Sequence, residues 1–215
     1  MSRKDLPELP YWDGPLSHPF YSKVVKRILD LLLALVLLIP GIILMIPLAV
    51  WVKLDSPGPV IYKAVRGGYH NRPFTIFKFR SMVVGADKTG GTTAMNDARV
   101  TRAGRIMRKL KLDELPQLFN ILIGDMSFVG FRPCLWNEYE LDDERRKTGA
   151  YRVRPGITGI AQIRGRDELR PAEKARLDGV YARHVGFDYD LRIVTKTILY
   201  VFYKEGYREG GFADE

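Results

Sequence analysis

The chain is organised around the stretch Leu110-Lys111-Leu112-Asp113-Glu114-Leu115-Pro116-Gln117-Leu118-Phe119-Asn120. Two adjacent carboxylates, Asp113 and Glu114, open an apolar helical segment here, and Gly124 provides a stop at its C-terminal end. Asp113 stands where the N-cap of a helix is expected, and Pro116 is tolerated in the first turn. The sequence therefore predicts a helix that is capped by Asp113.

A run of basic residues leads directly into these acids. It consists of Arg102, Arg105, Arg108, Lys109 and Lys111. Both the helix dipole and these cations favour the ionised form of Asp113, so we expect its pKa to be lowered. Capping is the ordinary role of an aspartate at this place. An ionised and positioned carboxylate can also act as a nucleophile towards phosphorus.

Composition limits the classes of function. A chain of 215 residues allows one domain, or one domain with a small appendage. A net charge of +9 predicts an anionic partner, which could be nucleic acid, a phosphorylated substrate or an acidic membrane surface. The single Cys134 excludes an internal disulfide and favours a reducing compartment, and the three histidines lack zinc-ligand spacing.

The segment 31–52 carries no charged residue. Its length of about 22 residues suffices to cross a bilayer core of roughly 30 Å as a helix. The preceding residues 1–21 are rich in proline and predict an irregular arm. Pro40 followed by Gly41 near the middle predicts a kink. Because basic residues flank both ends, charge does not decide between a spanning helix and a re-entrant helix whose ends are both cytoplasmic.

The soluble part begins with a predicted hairpin, formed by residues 60–66 and 73–82. Lys78 and Arg80 lie on one face of its second strand, where they would form a phosphate clamp or the solvated charges of an edge strand. Residues 84–98 predict a mobile loop that could act as a lid. A helix over 101–111 is expected to turn its apolar side chains inward, namely Ile106, Met107 and Leu110.

Two irregular links and two helices complete the pattern. The links, 125–133 and 151–159, carry Arg132 and Arg154, which could meet an anion. The helices are predicted over 168–181 and 190–203. The second has an apolar stripe that either packs on the domain or lies in the membrane interface. This stripe consists of Leu191, Val194, Ile198, Val201 and Phe202.

In this order, the motifs resemble those of the bacterial sugar transferases, the small monotopic phosphoglycosyl transferases that act on polyprenol phosphate. The resemblance covers residues 26–203 and rests on several short motifs. They are Lys26-Arg27 with Asp30, Ser56-Pro57-Gly58-Pro59, Arg66 with Gly68, Phe77-Lys78-Phe79-Arg80-Ser81-Met82, Arg99 with Thr101, Gly104 and Arg108, Leu112-Asp113-Glu114-Leu115-Pro116-Gln117-Leu118, Gly124-Asp125-Met126-Ser127 and Arg154-Pro155-Gly156-Ile157-Thr158-Gly159.

The resemblance implies an activity and its participants. A sugar-1-phosphate would move from a UDP-sugar to polyprenol (undecaprenyl) phosphate with release of UMP, as the first membrane step of glycan assembly. Asp113 would be the nucleophile of a ping-pong reaction, Glu114 would complete an Asp-Glu dyad, and both would hold Mg²⁺. Further anion-binding candidates are Lys78, Arg80, Arg108, Arg132 and Arg154.

The resemblance also implies an architecture. This is a mostly helical α+β fold with a re-entrant membrane helix that breaks at Pro40, a small β-hairpin and amphipathic interfacial helices around a cytoplasmic active site. The expected divisions are an arm 1–21, a membrane helix 22–54, a catalytic domain 55–205 and a tail 206–215. The expected location is the cytoplasmic face of the bacterial inner membrane, where a homodimer could form.

Three positions depart from the family pattern. Ile39 replaces a serine before the membrane proline, Ala64 replaces a glutamine, and Phe131 replaces a proline in the usual Gly-Pro-Arg-Pro. Two other functions remain open on the sequence: a membrane-tethered basic module that binds nucleic acid, and a non-catalytic membrane scaffold. The sequence contains no recognised groove-reading motif, so we expect no nucleic-acid partner.

Overall fold

The computed structural model describes residues 14–86, 97–136, 138–165 and 169–203, with the backbone alone for 200–203. Most of the predicted loop 84–98 therefore lies outside the described residues, as do most of the predicted arm and all of the predicted tail. The described chain is an α+β fold, mostly helical, with two small sheets and one long apolar helix near its N-terminus. This confirms the predicted fold class at that level.

The long helix α1 spans Lys26–Asp55 and follows a short π-helical segment, Tyr21–Val25. It is long and apolar enough to cross a membrane. The helix includes Pro40 and Pro47. Each proline removes one backbone donor, which favours a kink in the helix axis. The predicted break at Pro40 stays a prediction. The helix ends at Asp55 because Ser56 precedes Pro57 and adopts an extended backbone.

One face of α1 packs on the rest of the fold. Its buried positions recur at helical spacing and are Lys26, Asp30, Ala34, Gly41, Leu48 and Val52. The other side of the helix presents large apolar side chains that remain exposed, such as Ile39, Ile43 and Leu54. Such a band of exposed apolar surface is far larger than a soluble monomer normally shows.

Strands β1 (Ile61–Gly67) and β2 (Pro73–Phe79) form the predicted hairpin. They pair antiparallel, and Tyr62 lies opposite Lys78. Helix α2 (Arg102–Lys109) follows, with Thr101 as its N-cap accepting a hydrogen bond from Gly104 N. A Cβ at Gly104 would lie 2.0 Å from the Ser81 carbonyl oxygen, so only glycine allows α2 to pack this closely after β2.

The expected inward positions on α2 were partly wrong. Met107 is fully buried, but Ile106 and Leu110 are 47% and 59% exposed. Phe119 and Ile123, one turn apart on the next helix, are also exposed. These short helices thus keep part of their apolar faces outside the core, which is the pattern of helices that contact lipid.

Asp113 is not the N-cap of a helix, contrary to the prediction. Lys111 adopts a left-handed backbone with φ 60°, and the chain then makes a separate 3-10 turn, Leu112–Glu114. Helix α3 begins only at Gln117, with Pro116 at its N-cap position. The proline has no N–H to continue the helical bonding, so the turn and α3 remain separate. Gly124 ends α3 with φ 99°, as predicted.

The two links expected to be irregular contain strands. Strand β3 (Ser127–Val129) pairs in parallel with β4 (Gly156–Thr158). A Cβ at Gly130 would meet the Arg154 carbonyl oxygen at 2.1 Å, so this glycine lets the two segments approach each other. A strand of three residues is too short for the alternation of apolar and polar residues to be recognised from the sequence.

Four more helices surround this pair of strands. They are α4 (Tyr139–Thr148), α5 (Ile160–Arg164), α6 (Pro171–Arg183) and α7 (Phe187–Tyr203). The last two were predicted, whereas α4 and α5 were missed because one is rich in charge and the other is short. On α7, Ile193 is buried and Val194 packs against the core, whereas Leu191 and Ile198 of the predicted stripe are exposed. The side chains of Val201 and Phe202 lie outside the described part of the chain.

Candidate active site

A cavity of about 830 Å³ opens among β1, β2, α2 and helices α4 to α6. It contains most of the residues that the sequence singled out. These are Lys78, Arg80, Arg108, Asp113, Glu114 and Arg132. They come from separate segments, and only the packing of α2, β2 and the 125–133 link brings them together.

Asp113 and Glu114 lie on the 3-10 turn between α2 and α3. Each residue is only 8% exposed, although both line the cavity. The left-handed backbone of Lys111 directs the chain into this turn. Two neighbouring carboxylates with so little exposure are costly to ionise unless cations or a ligand compensate them.

Glu114 receives two cations on one oxygen. Lys78 Nζ lies 3.0 Å and Arg132 Nη2 lies 3.1 Å from Glu114 Oε1. Lys78 comes from β2 and Arg132 from the segment after β3, so Glu114 ties two parts of the fold together. The arrangement places two positive groups beside the carboxylates, where a phosphate would also be attracted to them.

The pKa of Asp113 is raised, which contradicts the prediction of a lowered value. Burial is the main cause, and the neighbouring Glu114 charge adds to it. Lys78, Lys111 and Arg132 act in the opposite direction but do not outweigh these effects. The prediction was wrong because the sequence shows the cations but not the loss of water around the carboxyl group. Burial likewise lowers the pKa of Lys78, against the pull of Glu114.

Arg80 binds the C-terminal end of α1. Its guanidinium donates to the carbonyl oxygens of Pro57, Ser56 and Val52, at 2.6, 2.7 and 3.4 Å, and to Ser56 Oγ at 2.9 Å. Arg80 therefore satisfies the carbonyl groups at the C-terminal end of α1. It lines the cavity, but these bonds occupy both of its Nη atoms, while its Nε is buried and lacks a hydrogen-bond partner among the described residues. The guanidinium therefore bonds to the end of α1, and Arg80 does not form the phosphate clamp with Lys78 that the sequence left open as one alternative.

Arg154 lies outside this cavity. Its Nε donates to the Gly124 carbonyl oxygen at 2.9 Å, and its guanidinium stacks over the Tyr69 ring at 5.2 Å. It helps to line a small pocket beside Lys26 and Asp30 instead. The structure thus separates Arg154 from the other four anion-binding candidates, and its hydrogen bond to Gly124 stabilises the end of α3.

Sequence reasoning missed several residues that line the cavity. They include Tyr62, Arg66, Arg145, Gln162 and Lys174. The alternation along β1 could have placed Tyr62 and Arg66 on one face of the strand. Nothing in the sequence could have shown that α5 and α6 bring Gln162 and Lys174 to the same cavity, because that depends on how distant helices pack.

The donor set for a metal ion is small. No cluster of three or more histidine, cysteine, aspartate or glutamate residues occurs in the part of the chain that the structure describes. Mg²⁺ is often held by only one or two carboxylates together with substrate phosphates, so Asp113 and Glu114 fit that mode of binding. They do not fit a metal site formed by protein ligands alone.

A buried carboxylate pair, two cations bonded to it, a large cavity and a long apolar helix thus occur together in the described part of the chain. Comparison with known proteins identifies the family. The family described as bacterial sugar transferase matches residues 21–204. The chain therefore belongs to the bacterial sugar transferase family and is a transferase.

Individual relatives agree with this assignment. An uncharacterised sugar transferase, EpsL of Bacillus subtilis (strain 168), is 41% identical over 187 residues, which is 86% of this chain and 91% of the relative. The UDP-glucose:undecaprenyl-phosphate glucose-1-phosphate transferase of Escherichia coli (strain K12) is 40% identical over 203 residues, 90% of this chain but 43% of the relative.

A third relative is the UDP-N-acetylgalactosamine-undecaprenyl-phosphate N-acetylgalactosaminephosphotransferase of Aeromonas hydrophila. It is 41% identical over 191 residues, which is 85% of this chain and 44% of the relative. The chain thus spans less than half the length of these two characterised relatives, while it spans nearly all of the Bacillus protein.

Proposed function

We propose that the protein transfers a sugar-1-phosphate from a UDP-sugar to polyprenol phosphate, releasing UMP and starting the assembly of a glycan on the membrane. The observation that carries this proposal is the Asp113–Glu114 pair in a cavity with Lys78 and Arg132 directed at it. The names of the Escherichia and Aeromonas relatives, both undecaprenyl-phosphate sugar phosphotransferases, support the choice of substrates.

The reaction proceeds in two displacement steps at the same phosphorus atom. Asp113 attacks the β-phosphorus of the UDP-sugar, so that a bond from Asp113 Oδ to phosphorus forms while the bond from phosphorus to the UMP oxygen breaks, and UMP leaves with the electron pair. A phosphate oxygen of polyprenol phosphate then attacks the same phosphorus. The carboxylate of Asp113 leaves, and the lipid carries the sugar diphosphate. A covalent aspartyl intermediate of this kind is a known strategy for phosphoryl transfer.

The positions of the charged groups suit this sequence. Lys78 and Arg132 lie beside Glu114, and Arg108 lines the same cavity, so cations surround the place where negative charge accumulates. The raised pKa of Asp113 keeps its carboxylate basic, which makes it a stronger nucleophile once it is ionised. When bound, Mg²⁺ supplies further neutralisation of the diphosphate, and Asp113 and Glu114 are the residues that would hold it.

We further propose that α1 enters and leaves the membrane on one side. At its start, Asp30 Oδ1 accepts hydrogen bonds from Ser127 Oγ and Phe128 N at 3.0 and 3.1 Å. At its other end, Asp55 Oδ2 accepts a hydrogen bond from Ala103 N at 2.9 Å. Since both ends bind the same soluble fold, a helix with ends on opposite faces of a bilayer does not suit these contacts.

The exposed apolar side chains provide the lipid contact for this arrangement. They cover the outer side of α1 and continue on the short helices at Ile106, Leu110 and Ile123. A cavity next to such a surface allows a lipid phosphate to reach Asp113 from the bilayer, on the cytoplasmic face where nucleotide sugars are available. Formation of a homodimer stays a prediction.

The test of the reaction is a screen of UDP-sugars with polyprenol phosphate and Mg²⁺, in which UMP is measured. Omission of the lipid from the active combination should still release one UMP per protein and add the mass of a sugar phosphate to the peptide that contains Asp113. An adduct on another residue, or a requirement for both substrates before any UMP appears, would contradict the two-step reaction. The nucleic-acid-binding alternative predicts a different result. The affinity for DNA would then fall log-linearly with salt concentration, and no UDP-sugar would yield UMP.

The test of topology is cysteine labelling at Ser22 and Ser56, which flank α1. Cys134 is buried and gives little background, and a Cys134→Ser parent removes what remains. Labelling of both positions from the cytoplasmic side is expected. Labelling from opposite sides would exclude the re-entrant arrangement while leaving the proposed reaction intact.

A further inference from the structure

Gln162 on α5 lines the cavity that holds Asp113 and Glu114. Both its amide nitrogen and its amide oxygen are buried, and neither has a hydrogen-bond partner among the described residues. Buried polar atoms are normally paired, because an unpaired donor or acceptor loses its bonds to water without replacement. An amide that lacks both bonds at the wall of a substrate cavity therefore points to a ligand that supplies them.

The geometry of the amide restricts that ligand. A glutamine side chain presents one donor and one acceptor side by side in one plane. The imide edge of uracil presents the complement, an N3–H donor next to a carbonyl oxygen, so that two parallel hydrogen bonds can form. We propose that Gln162 binds the uracil base of the nucleotide sugar through this edge. The inference rests on the proposed function, because it names the part of the UDP-sugar that this wall recognises.

The cavity that Gln162 lines has apolar as well as charged walls. Cys134, Leu141 and Ala161 supply apolar surface, while Arg66, Arg145 and Lys174 supply positive charge. The faces of a pyrimidine pack well against apolar side chains. The hydroxyl groups of a sugar would find no hydrogen-bond partner on such side chains. The remaining polar atoms of a base lie at its edge, where the amide meets them.

The cavity is also long enough to separate the base from the reacting phosphate. Tyr62 lies opposite Lys78, which contacts Glu114, and Arg66 lies four residues further along β1. Four strand residues span about 13 Å. Arg66 pairs with Leu135, in the segment that follows Arg132. A cavity of about 830 Å³ can hold a nucleotide sugar with its diphosphate near Lys78 and Asp113 and its base at Gln162.

The test compares UDP with N3-methyl-UDP, whose methyl group blocks the imide donor. The full chain in lipid nanodiscs is titrated with each by calorimetry, for the unchanged protein and for Gln162→Met, which keeps the length of the side chain but removes the amide. We expect the unchanged protein to bind UDP about tenfold or more tightly than N3-methyl-UDP. Gln162→Met should lose about that factor for UDP and bind the two nucleotides equally.

A control on the same helix is Arg164→Gln, because Arg164 is exposed and does not line the cavity. Its preference for UDP should equal that of the unchanged protein. Equal binding of UDP and N3-methyl-UDP by the unchanged protein would overturn the inference. This comparison needs no variant, so it remains valid even if Gln162→Met does not fold. Unchanged UDP affinity with slower sugar transfer in Gln162→Met would also overturn it, since Gln162 would then contact the sugar.

These outcomes are distinct from a failure of the proposed function. If no UDP-sugar yields UMP with polyprenol phosphate, the reaction itself is wrong, whatever Gln162 does. If UMP is released and the preference for UDP over N3-methyl-UDP is absent, only the assignment of Gln162 to the base is wrong.

Discussion

Two of the buried ion clusters in the described part of the chain differ in how their charges are compensated. In the Asp178 cluster, Arg145 Nε and Nη2 both donate to Asp178 Oδ2, at 3.0 and 2.7 Å, and the side chains are only 2% and 1% exposed. In the Asp113 cluster, two neighbouring carboxylates share their surroundings with Lys78 and Arg132. The first cluster pairs one anion with one cation, whereas the second gathers two anions and two cations. Arg145 of the first cluster and all four residues of the second line the same cavity.

The pKa values reflect the same difference. Burial opposes the charge of Arg145, but the carboxylate of Asp178 outweighs it and raises the pKa of Arg145. Asp113 has no such balance: burial and Glu114 together raise its pKa against three cations. Burial also raises the pKa of Asp178, because the charge of Arg145 offsets it only in part. The pKa values of the two carboxyl groups thus shift in the same direction, and the clusters differ in how many charged groups surround each acid.

Phe131 connects the two clusters. It is fully buried, packs edge-on against Tyr151 with ring centroids 5.2 Å apart, and lies under the Arg145 guanidinium at 4.9 Å. It replaces the family's usual proline directly before Arg132. The replacement does not misdirect that side chain, since Arg132 still reaches Glu114 at 3.1 Å.

The largest expected effect is on catalysis. Asp113→Asn should lower the rate of UMP formation by about 10³-fold or more, because an amide cannot form the phosphorus bond. Its stability should be equal or higher. The pKa of Asp113 is raised in the folded state, so ionisation costs stability as pH rises through that pKa, and asparagine never ionises. The readouts are a UMP assay and a thermal melt.

Asp188→Asn serves as the matched control, because Asp188 is exposed at the start of α7. It should retain nearly full activity. Near-normal activity of Asp113→Asn would remove the distinction between the two clusters, since neither would then contain the nucleophile.

The second effect is on stability. Asp178→Asn should lower the free energy of unfolding by about 3–5 kcal/mol, because it leaves the buried charge of Arg145 without its anion. The double variant Arg145→Met with Asp178→Leu should recover most of this loss, since no charge remains buried. Denaturant titration in nanodiscs measures both. A double variant less stable than Asp178→Asn would show that the Asp178 cluster is not a simple ion pair.

A third, smaller effect separates two arginines at the cavity. Arg80→Met should lower the unfolding free energy by about 2 kcal/mol, because carbonyl groups at the end of α1 lose charged hydrogen bonds. Arg132→Met should leave stability within about 1 kcal/mol, as expected for a partly exposed ion pair, but lower kcat/KM markedly. Thermal melts of both variants measure the stability, and UMP assays measure kcat/KM. If Arg80→Met instead lowered kcat/KM markedly and left stability unchanged, Arg80 would belong to the phosphate site.

The smallest effect is a shift in the pH profile. The activity should fall at low pH as Asp113 takes up its proton, and the positive charge of Lys78 lowers the pKa of that carboxyl group. Removal of this charge in Lys78→Met should therefore raise the pKa of Asp113 and move the acidic limb of kcat/KM to higher pH. Lys147→Met, on the exposed side of α4, should leave the limb in place. A limb that moves to lower pH would contradict the assignment of this limb to Asp113.

Much of the local structure could be predicted because its causes lie within a few residues. The apolar run predicts α1, the turn-rich segment between two strands predicts the β1–β2 hairpin, and the left-handed Gly124 ends α3 as expected. Strands β3 and β4 could not be predicted in the same way. Each has three residues and is stabilised by a partner about 30 residues away in the chain, so the pairing leaves no local pattern.

The residues of the candidate site also fall into those that the sequence could predict and those that it could not. Asp113 and Glu114 could be singled out because two acids within a basic run are unusual at the level of sequence. The actual roles of Arg80 and Arg154 could not, because an arginine bonds to whatever carbonyl or ring the fold brings near it. The position of Gln162 at the cavity wall was equally hidden, since α5 is short and charge-poor.

The sequence by itself determined the long apolar helix and the hairpin and singled out the Asp113–Glu114 pair, since these follow from composition and short-range spacing. The role of Asp113 as the reactive group is implied by the family resemblance and stays a prediction. Only the tertiary structure decided that Asp113 has a raised pKa, that Glu114 binds Lys78 and Arg132, and that both ends of α1 attach to one soluble fold. The physical reason is that burial and long-range contacts set the solvation of a charge, and neither is encoded by its neighbours in the chain.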